Sequence, residues 1–375
     1  MKDSRALLML DDGTCFEGVA RGACQEASGE FVFTTSLVGY QEFLTDPAIA
    51  GQVVVFTSAH MGNYGMTAED DEAASVKVAG AIFHDLFIPD SEAFPHWRAV
   101  ESLDQRLKRE GVTAISGVDT RSLAAHLRDH GARNGIISAV DLDKASLLRR
   151  ARELPAMGGR DLVSGVTCKE AYQPEKPANI SCEGPQLSVA VLDLGVKRSS
   201  IRRLQELGMK VTVWPATAKA EDILATKPDG VFLSSGPGDP EPCHYAIACV
   251  KKLLGAVPVF GTCLGMQVMA LALGAKTVKM KNGHRSSNHP VSDIHTGNVW
   301  ITCQNHGFRI DAESLPATIR PTNWNANDQT LAGFECTDMP AFAVQFHPET
   351  GVGGLDGTGV FARFRQLMAD YRNKK

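Results

Sequence analysis

The sequence predicts an α/β protein in which a C-terminal, mostly parallel sheet with flanking helices follows a smaller mixed α/β domain. Beyond residue 187, short apolar runs alternate with segments of helical spacing, which is typical of a parallel sheet covered on both faces. Before residue 150, short apolar strands alternate with glycine-rich turns. The stretch CKEAYQPEKPANISCEGPQL between them is rich in Pro, Glu, Lys and Ser and has no apolar period. We therefore predict an N-terminal domain over 1–150, a linker over 151–187 and a C-terminal domain over 188–375.

The N-terminal domain combines strands with two helices. Its predicted strands are FVFTTS, GQVVVFTS and VAGAIFHD. The helical segments SLDQRLKREG and TRSLAAHLRDHG each end in a glycine, the residue that most readily follows a helix. No group of residues in this half of the sequence suggests a catalytic site.

The C-terminal domain has a regular order of elements. Strands are predicted at SVAVLDLG, KVTVW, GVFLSSG and VPVFG, and the helices between them at KRSSIRRLQELG, AEDILATK and CHYAIACVKKLLG. In the first helix, Ile201, Leu204 and Leu207 keep a helical spacing. Crossovers in such sheets are right-handed, and ligands bind beyond the carboxyl ends of the strands. Two loops therefore become candidates for the site, Ser234–Pro240 (SSGPGDP) and Gly261–Cys263 (GTC).

Composition excludes several classes of function. The formal net charge is −5, whereas a general nucleic-acid binder carries a basic face. No run approaches the roughly 20 apolar residues of a membrane span, and the first residues lack a secretory pattern. The nine cysteines are odd in number and contain no Cys-x-x-Cys pair, which favours reduced thiols over disulfides or a zinc site. We therefore expect a cytoplasmic protein without a membrane or nucleic-acid partner.

Cys263 lies in FGTCLGMQ, where a predicted strand meets a predicted helix. A sharp turn at such a junction pushes the side chain into the open, as in the nucleophile elbow of serine hydrolases. The N-terminus of the helix favours a thiolate, and the backbone N–H of Leu264 can stabilise an oxyanion. Gly265 would leave space for a ligand at the first helical turn. A buried structural cysteine fits the same pattern, so the motif alone leaves both interpretations open.

His347 and Glu349 lie in PAFAVQFHPETG, after a strand predicted over 341–346. Residues two apart in an extended segment project to the same side, so Glu349 can orient the His347 imidazole, which can act as the base for a thiol. The alternatives are a histidine satisfied within a turn and a zinc site. The zinc deaminase pattern needs a downstream Pro-Cys-x-x-Cys, but no cysteine follows Cys336, so we predict no metal site.

Gly-x-Cys-x-Gly after a strand, together with a distant His-Pro-Glu, resembles the class I, triad-type glutamine amidotransferases. Within that group, the sequence resembles the small-subunit family of carbamoyl phosphate synthase nearly end to end. The N-terminal domain and the junction carry TSLVGYQEFLTDP, HMGNYG, VDTRSLAAHLRDHGARNG and DLGVKRSSIRRL. The amidotransferase half carries LSSGPGDPEPC, PVFGTCLGMQVMALALGAKTVKMKNGH, NHPV and QNHGF.

The resemblance implies roles for individual residues. Cys263 would be the nucleophile that forms a γ-glutamyl thioester, His347 the base and Glu349 its orienting partner. Gly236 and Leu264 would donate backbone N–H groups to the oxyanion, and glycines at 236 and 238 would let backbone approach the substrate. The implied contacts with L-glutamine are Gly236, Gly238, Leu264, Gln267, Asn305, Gly307 and Phe308.

The sequence departs from the family pattern at three places. After TDP the family has a serine near the glutamine, whereas this chain has Ala48, so that contact is not assigned. After His-Pro-Glu the chain continues TGVGG instead of Ala-Ser-Pro-Gly-Pro, and HRSSNHPV replaces a more glycine-rich run. None of these changes falls on the three implied catalytic residues.

The resemblance also implies a reaction and a partner. The chain would hydrolyse glutamine to glutamate and ammonia, and pass the ammonia to a large synthetase subunit bound through the N-terminal domain. That subunit would use ATP, Mg and bicarbonate to make carbamoyl phosphate for arginine and pyrimidine biosynthesis. The chain itself has no Gly-x-x-x-x-Gly-Lys-Ser/Thr loop, and no cofactor is expected in it. Two other functions stay open: a stand-alone γ-glutamyl hydrolase with the same triad, and a non-enzymatic scaffold that would tolerate loss of the triad.

Overall fold

The computed structural model describes residues 4–89, 96–175, 186–349 and 356–374. The chain divides into two units, unit 1 (Met1–Gly158) and unit 2 (Gly159–Lys375). The division falls within the segment that we predicted as a linker. Residues 176–185 of that linker lie outside the described residues. So does TGVGG at 350–354, the stretch that differs from the family pattern after His-Pro-Glu.

Unit 1 contains short strands and four helices within its described residues. The strands are β1 (Arg5–Leu10), β2 (Cys15–Gly22), β3 (Glu26–Thr34), β4 (Gln52–Phe56), β5 (His60–Met61), β6 (Met66–Thr67), β7 (Gly80–Ile82), β8 (Asp85–Leu86), β9 (Ala99–Glu101), β10 (Thr113–Ser116) and β11 (Arg133–Ser138). The helices are α1 (Tyr40–Thr45), α2 (Leu103–Arg109), α3 (Thr120–His130) and α4 (Lys144–Arg152).

Seven of these strands close into a barrel in the order β1-β11-β3-β4-β7-β10-β2. Alternate residues of the strands, among them Leu8, Val53 and Ile115, fill one core cluster. Closure leaves the barrel without an unpaired edge. The two predicted helices form, and each has a side-chain cap: Ser102 for α2 and Asp119 for α3.

Unit 2 contains one large sheet with helices on both faces. Its strands are β12 (Ser188–Asp193), β13 (Lys210–Pro215), β14 (Gly230–Leu233), β15 (Val259–Thr262), β16 (Thr277–Asp293), β17 (Val299–Ile310), β18 (Ile319–Asn325), β19 (Leu331–Cys336) and β20 (Ala341–Val344). Its helices are α5 (Arg198–Glu206), α6 (Ala220–Ala225), α7 (His244–Leu253), α8 (Leu264–Ala272) and α9 (Gly359–Asn373).

The strands follow the order β13-β12-β14-β15-β20-β19-β18-β16-β17. The first five pair in parallel, and the remaining pairings are antiparallel. The parallel half is covered on both sides because successive residues of β12 enter different cores. Ala190 and Leu192 pack with α7 and α8, whereas Val189 and Val191 pack with α5 and α9. The parallel sheet with flanking helices is therefore confirmed, and it continues into an antiparallel half that we did not predict.

The sheet order brings distant parts of the sequence to one edge. Strands β15 and β20 are parallel neighbours, with Thr262 paired to Val344. The residues that follow both strands therefore emerge side by side at the carboxyl edge, where ligands bind in sheets of this kind.

Candidate active site

Cys263 occupies the turn from β15 into α8. Its backbone has φ 51° and ψ −111°, a conformation that costs free energy for a residue with a side chain. The backbone N–H of Cys263 donates to the carbonyl of Val344 at 2.9 Å, which fixes the turn against β20. The predicted elbow therefore forms. The side chain is not in the open, however: Cys263 is 1% exposed, and its Sγ lies 3.6 Å from the carbonyl oxygen of Asn305 on β17.

His347 and Glu349 are buried beside this cysteine. The His347 Nδ1 lies 3.0 Å from Glu349 Oε1, and because a carboxylate only accepts, Nδ1 carries the proton of this hydrogen bond. The backbone N–H of His347 donates to the carbonyl of Cys303 at 2.8 Å, which anchors the segment to β17. The side chain of Cys263 lies close enough to the same imidazole to raise its pKa. The three residues that sequence reasoning selected therefore lie together.

The charges around His347 and Glu349 determine the protonation states of these two side chains. Burial and the nearby Lys197 oppose protonation of His347, but Cys263 and Glu349 outweigh them and raise its pKa well above the ordinary value. Burial raises the pKa of Glu349, but Lys197 and His347 outweigh it and lower that pKa to about 2. Glu349 is thus a carboxylate at neutral pH and His347 an imidazolium. An imidazolium beside a thiol stabilises the thiolate, the reactive form of cysteine.

Lys197 is a member of the site that sequence reasoning missed. It lies between β12 and α5, is 3% exposed, and places Nζ 3.5 Å from Glu349 Oε1. The other carboxylate oxygen, Glu349 Oε2, has no hydrogen-bond partner among the described residues. The available signal was its position: Lys197 lies in the loop that follows a buried parallel strand, at the edge predicted for the ligand.

The loop after β14 approaches the first turn of α8. A Cβ added to Gly236 would lie 2.0 Å from the carbonyl oxygen of Leu194 and 2.7 Å from Cδ2 of Leu264. Gly238 has φ +78°, and a Cβ there would meet the side chain of Leu162 at 3.1 Å. Packing therefore excludes a side chain at Gly236, and Gly238 has a left-handed backbone conformation that favours glycine. That these glycines also make room for substrate stays a prediction. As the first residue of α8, Leu264 has a backbone N–H without an intrahelical acceptor.

Gly265 serves packing rather than ligand approach. A Cβ at this position would lie 2.3 Å from the carbonyl oxygen of Leu233 on β14. The prediction that Gly265 leaves space for a ligand is therefore wrong. The absent side chain instead lets α8 lie directly against the sheet.

The remaining predicted contacts lie on α8 and β17. Gln267, one turn into α8, donates from Nε2 to the carbonyl oxygen of Phe308 at 2.8 Å. Asn305 and Gly307 lie on the same strand as Phe308, and Asn305 pairs with Arg285 of β16. A Cβ at Gly307 would lie 3.1 Å from the Arg285 guanidinium. Strand β17 therefore brings these residues to α8, the helix that begins directly after Cys263.

Ala48 lies in unit 1, in the short turn Pro47–Ile49, and is buried. Its backbone N–H donates to the Asp46 carboxylate at 2.9 Å, which closes the turn. Its methyl group cannot make the hydrogen bond that a serine would offer.

The described part of the chain contains neither a group of side chains suited to a metal ion nor a helix that could span a membrane. Its His, Cys, Asp and Glu residues form no group of three that could hold a metal ion. None of its helices is both long enough and apolar enough to cross a bilayer.

Comparison with known families divides the chain in two. Residues 190–367 match the family model described as glutamine amidotransferase class-I. Residues 8–137 match the model described as carbamoyl-phosphate synthase small chain, CPSase domain.

Individual relatives match over nearly the whole chain. A carbamoyl phosphate synthase small chain from Syntrophotalea carbinolica is 46% identical, covering 99% of this chain and 100% of the relative. The small chain from Yersinia pseudotuberculosis is also 46% identical, covering 98% and 96%. A solved structure from Thermoplasma acidophilum, provisionally described as part of a GMP synthase, is 27% identical with a TM-score of 0.46 and covers 51% of this chain and 98% of its own.

Proposed function

Because the chain belongs to the carbamoyl phosphate synthase small-chain family, we propose that Cys263, His347 and Glu349 are its glutamine-hydrolysing triad. The chain is the glutamine amidotransferase subunit: it releases ammonia from L-glutamine for the large synthetase chain. The observation that carries the triad assignment is the buried hydrogen bond of His347 to Glu349, beside a buried Cys263 that raises the pKa of the same imidazole.

The first half-reaction forms a thioester. The Cys263 thiolate attacks the carboxamide carbon of glutamine, and the electron pair of the C=O bond moves onto oxygen. The backbone N–H groups of Gly236 and Leu264 donate to that oxyanion. As the C–N bond breaks, the His347 imidazolium gives its proton to the leaving nitrogen, and ammonia departs.

The second half-reaction restores the enzyme. Neutral His347 takes a proton from water, which attacks the thioester carbonyl, and the oxyanion forms in the same place. When this intermediate collapses, the carbon–sulfur bond breaks, glutamate leaves, and the proton on His347 balances the thiolate on Cys263. Glu349 holds the ring through Nδ1 in both steps, and Lys197 keeps Glu349 ionised.

Because the large chain uses the ammonia, the ammonia must reach it without entering bulk water. Ammonia released into bulk water at neutral pH becomes ammonium and loses its nucleophilic electron pair, so transfer through a protected path is required. We propose that residues 1–150 dock to the large chain and that 188–375 carry the glutaminase chemistry. ATP and Mg are assigned to the large chain, no cofactor to this one, and carbamoyl phosphate to arginine and pyrimidine biosynthesis.

We also propose the cytoplasm as the compartment. The eight cysteines among the described residues are all free thiols, as expected where disulfides are kept reduced.

One substitution separates this function from its alternatives. Cys263→Ser in the assembled complex should abolish carbamoyl phosphate synthesis from glutamine and leave synthesis from added ammonium intact. The hydroxyl of serine is far less acidic than a thiol, so the same base cannot ionise it. Equal loss of both activities would contradict the division of labour. Activity that never requires the large chain would favour a stand-alone γ-glutamyl hydrolase.

A further inference from the structure

Gln345 is a buried amide that neither the triad nor the predicted substrate contacts include. It lies between β20 and His347 and is 2% exposed. Its Oε1 accepts a hydrogen bond from Gln267 Nε2 at 3.1 Å. Gln267 is itself 1% exposed and one of the residues expected to bind glutamine.

The orientation of the Gln267 amide follows from its neighbours. The carbonyl oxygen of Phe308, 2.8 Å away, can only accept, so the side-chain atom facing it must be nitrogen. That nitrogen also faces Gln345, so the atom of Gln345 at this contact must be oxygen. Both N–H groups of Gln267 are thereby committed to acceptors.

Because Gln267 Nε2 already donates to Phe308 and Gln345, only Oε1 of Gln267 is left to bind a ligand. Gln267 Oε1 has no hydrogen-bond partner among the described residues. An amide oxygen accepts and cannot donate, so this atom selects a donor. Glutamine has two donor groups, the carboxamide nitrogen and the α-ammonium. Because the carboxamide must lie at Cys263 to react, the α-ammonium is the donor left for Gln267.

Keeping a glutamine at position 345 has a cost. Its Nε2 is buried without a hydrogen-bond partner in the described part of the chain. A buried, unsatisfied donor is unfavourable, so an apolar residue of the same size would suit the surrounding packing better. The contact with Gln267 supplies the reason for an amide here.

We propose that Gln345 is a positioning residue: together with the carbonyl of Phe308 it holds the Gln267 amide with Oε1 towards the α-ammonium of glutamine, and so makes the site selective for an α-amino acid amide. This inference rests on the proposed function, because it assumes glutamine as substrate. Gln345 acts through Gln267 and does not touch the reacting atoms.

The test compares L-glutamine with glutaramate, the amide that lacks the α-amino group, in the assembled complex. Gln345→Met removes the acceptor at nearly constant volume. We expect the KM for glutamine to rise about three- to tenfold, the effect of one neutral hydrogen bond, with kcat nearly unchanged. Turnover of glutaramate should stay the same, since it offers no ammonium. The ratio of kcat/KM for the two substrates therefore falls about three- to tenfold.

Two controls separate positioning from general damage. Gln345→Glu keeps an acceptor oxygen in either protonation state and should retain the wild-type ratio. Phe346→Leu alters the next residue, which packs in the core, and should lower stability without changing the ratio. An equal loss on both substrates in Gln345→Met, or a collapsed ratio in Gln345→Glu, would overturn the proposal. Failure of the proposed function looks different, because then the wild-type complex would hydrolyse neither amide.

Discussion

Replacing Lys197 by methionine tests the electrostatic account of the triad most severely. The chain offers a matched control, because Lys197–Glu349 and Lys252–Glu221 are both lysine–glutamate pairs. The first has 3.5 Å between its charged atoms and side chains that are 3% and 0% exposed. The second is closer, at 2.6 Å, but its side chains are 63% and 61% exposed. Judged by the distance between the charges alone, Lys252 should contribute more to stability. Judged by burial, Lys197 should contribute more.

The magnitude follows from the pKa of Glu349. Against burial, which raises it, Lys197 is the largest cause that lowers this pKa from 4.5 to about 2. Each pKa unit is worth about 1.36 kcal/mol, so the native state stabilises the carboxylate by about 3 kcal/mol. Because the folded pKa is depressed, this contribution is complete above pH 4.5 and is lost as the pH falls towards 2. Breaking a buried pair on one side costs about 3–5 kcal/mol, in agreement.

The assay is differential scanning calorimetry near neutral pH combined with glutaminase kinetics. For a unit of the size of unit 2, a loss of about 3 kcal/mol lowers Tm by about 6–12 °C. Lys197→Met should also lower kcat at least ~10-fold, the equivalent of about 1.4 kcal/mol, since a Glu349 that takes up a proton no longer holds the imidazolium. Lys252→Met should lower stability by less than about 1 kcal/mol and leave kcat unchanged.

The outcome that would refute this reasoning is a larger loss of stability in Lys252→Met than in Lys197→Met. A Lys197→Met variant with wild-type kcat would show that the charge of Lys197 does not support the triad. Lys197→Arg keeps the charge and should retain most of the stability.

Three further outcomes are expected. His347→Ala should lower kcat by about 10²–10⁴, because proton transfer disappears. Glu349→Ala should lower kcat less, because it removes only the group that orients His347. In ammonia-release assays, a larger loss in Glu349→Ala than in His347→Ala would mean that the two roles are exchanged. Gly236→Ala should lower kcat by about 10²–10³ with little change in KM, because its methyl group would displace the loop from Leu194 and move one proposed oxyanion donor. The control is Gly165→Ala, which should leave kcat unchanged because a Cβ at Gly165 meets open space. The wild-type protein should lose stability between pH 4.5 and 2 more steeply than Glu349→Gln, as measured by calorimetry across that range.

The parallel half of unit 2 was predictable because its signals are local. Each strand of that half is a short apolar run. Of the helices, α5 and α7 have apolar residues at helical spacing, and α8 begins directly after a predicted strand. The elbow at Cys263 follows from the same local pattern, since the strand ends at Thr262 and the helix begins at Leu264. The meeting with His347 required one further rule, that neighbouring parallel strands share a carboxyl edge.

The antiparallel half was not predictable in the same way. Strand β16 runs over Thr277–Asp293 with the polar sequence KNGHRSSNHP in its middle, and its pairing with β17 shifts register twice. A polar strand with irregular pairing has no clean alternation for sequence reasoning to detect. The barrel of unit 1 depends likewise on which strands pair, and pairing is a long-range property.

Sequence reasoning missed the site residues that act only through a contact with another side chain of the site. Lys197 and Gln345 lie 152 and 4 positions from Glu349 in the sequence (349 − 197 and 349 − 345), and no spacing rule connects either of them with its function. Gly265 was noticed, but its reason was misjudged, because the carbonyl oxygen that excludes a side chain there belongs to Leu233 on another strand.

The proposed mechanism requires that the sulfur of Cys263 is the nucleophile and that His347 activates it. The most direct measurement treats the protein with a glutamine analogue that carries an electrophile at the amide carbon and maps the modified peptide by mass spectrometry. The strongest competitor is Cys303, whose carbonyl oxygen accepts from the His347 backbone N–H at 2.8 Å. We expect a single label on Cys263 that is suppressed in His347→Ala. A label on Cys303 or Cys336, or labelling of Cys263 that is indifferent to His347, would contradict it.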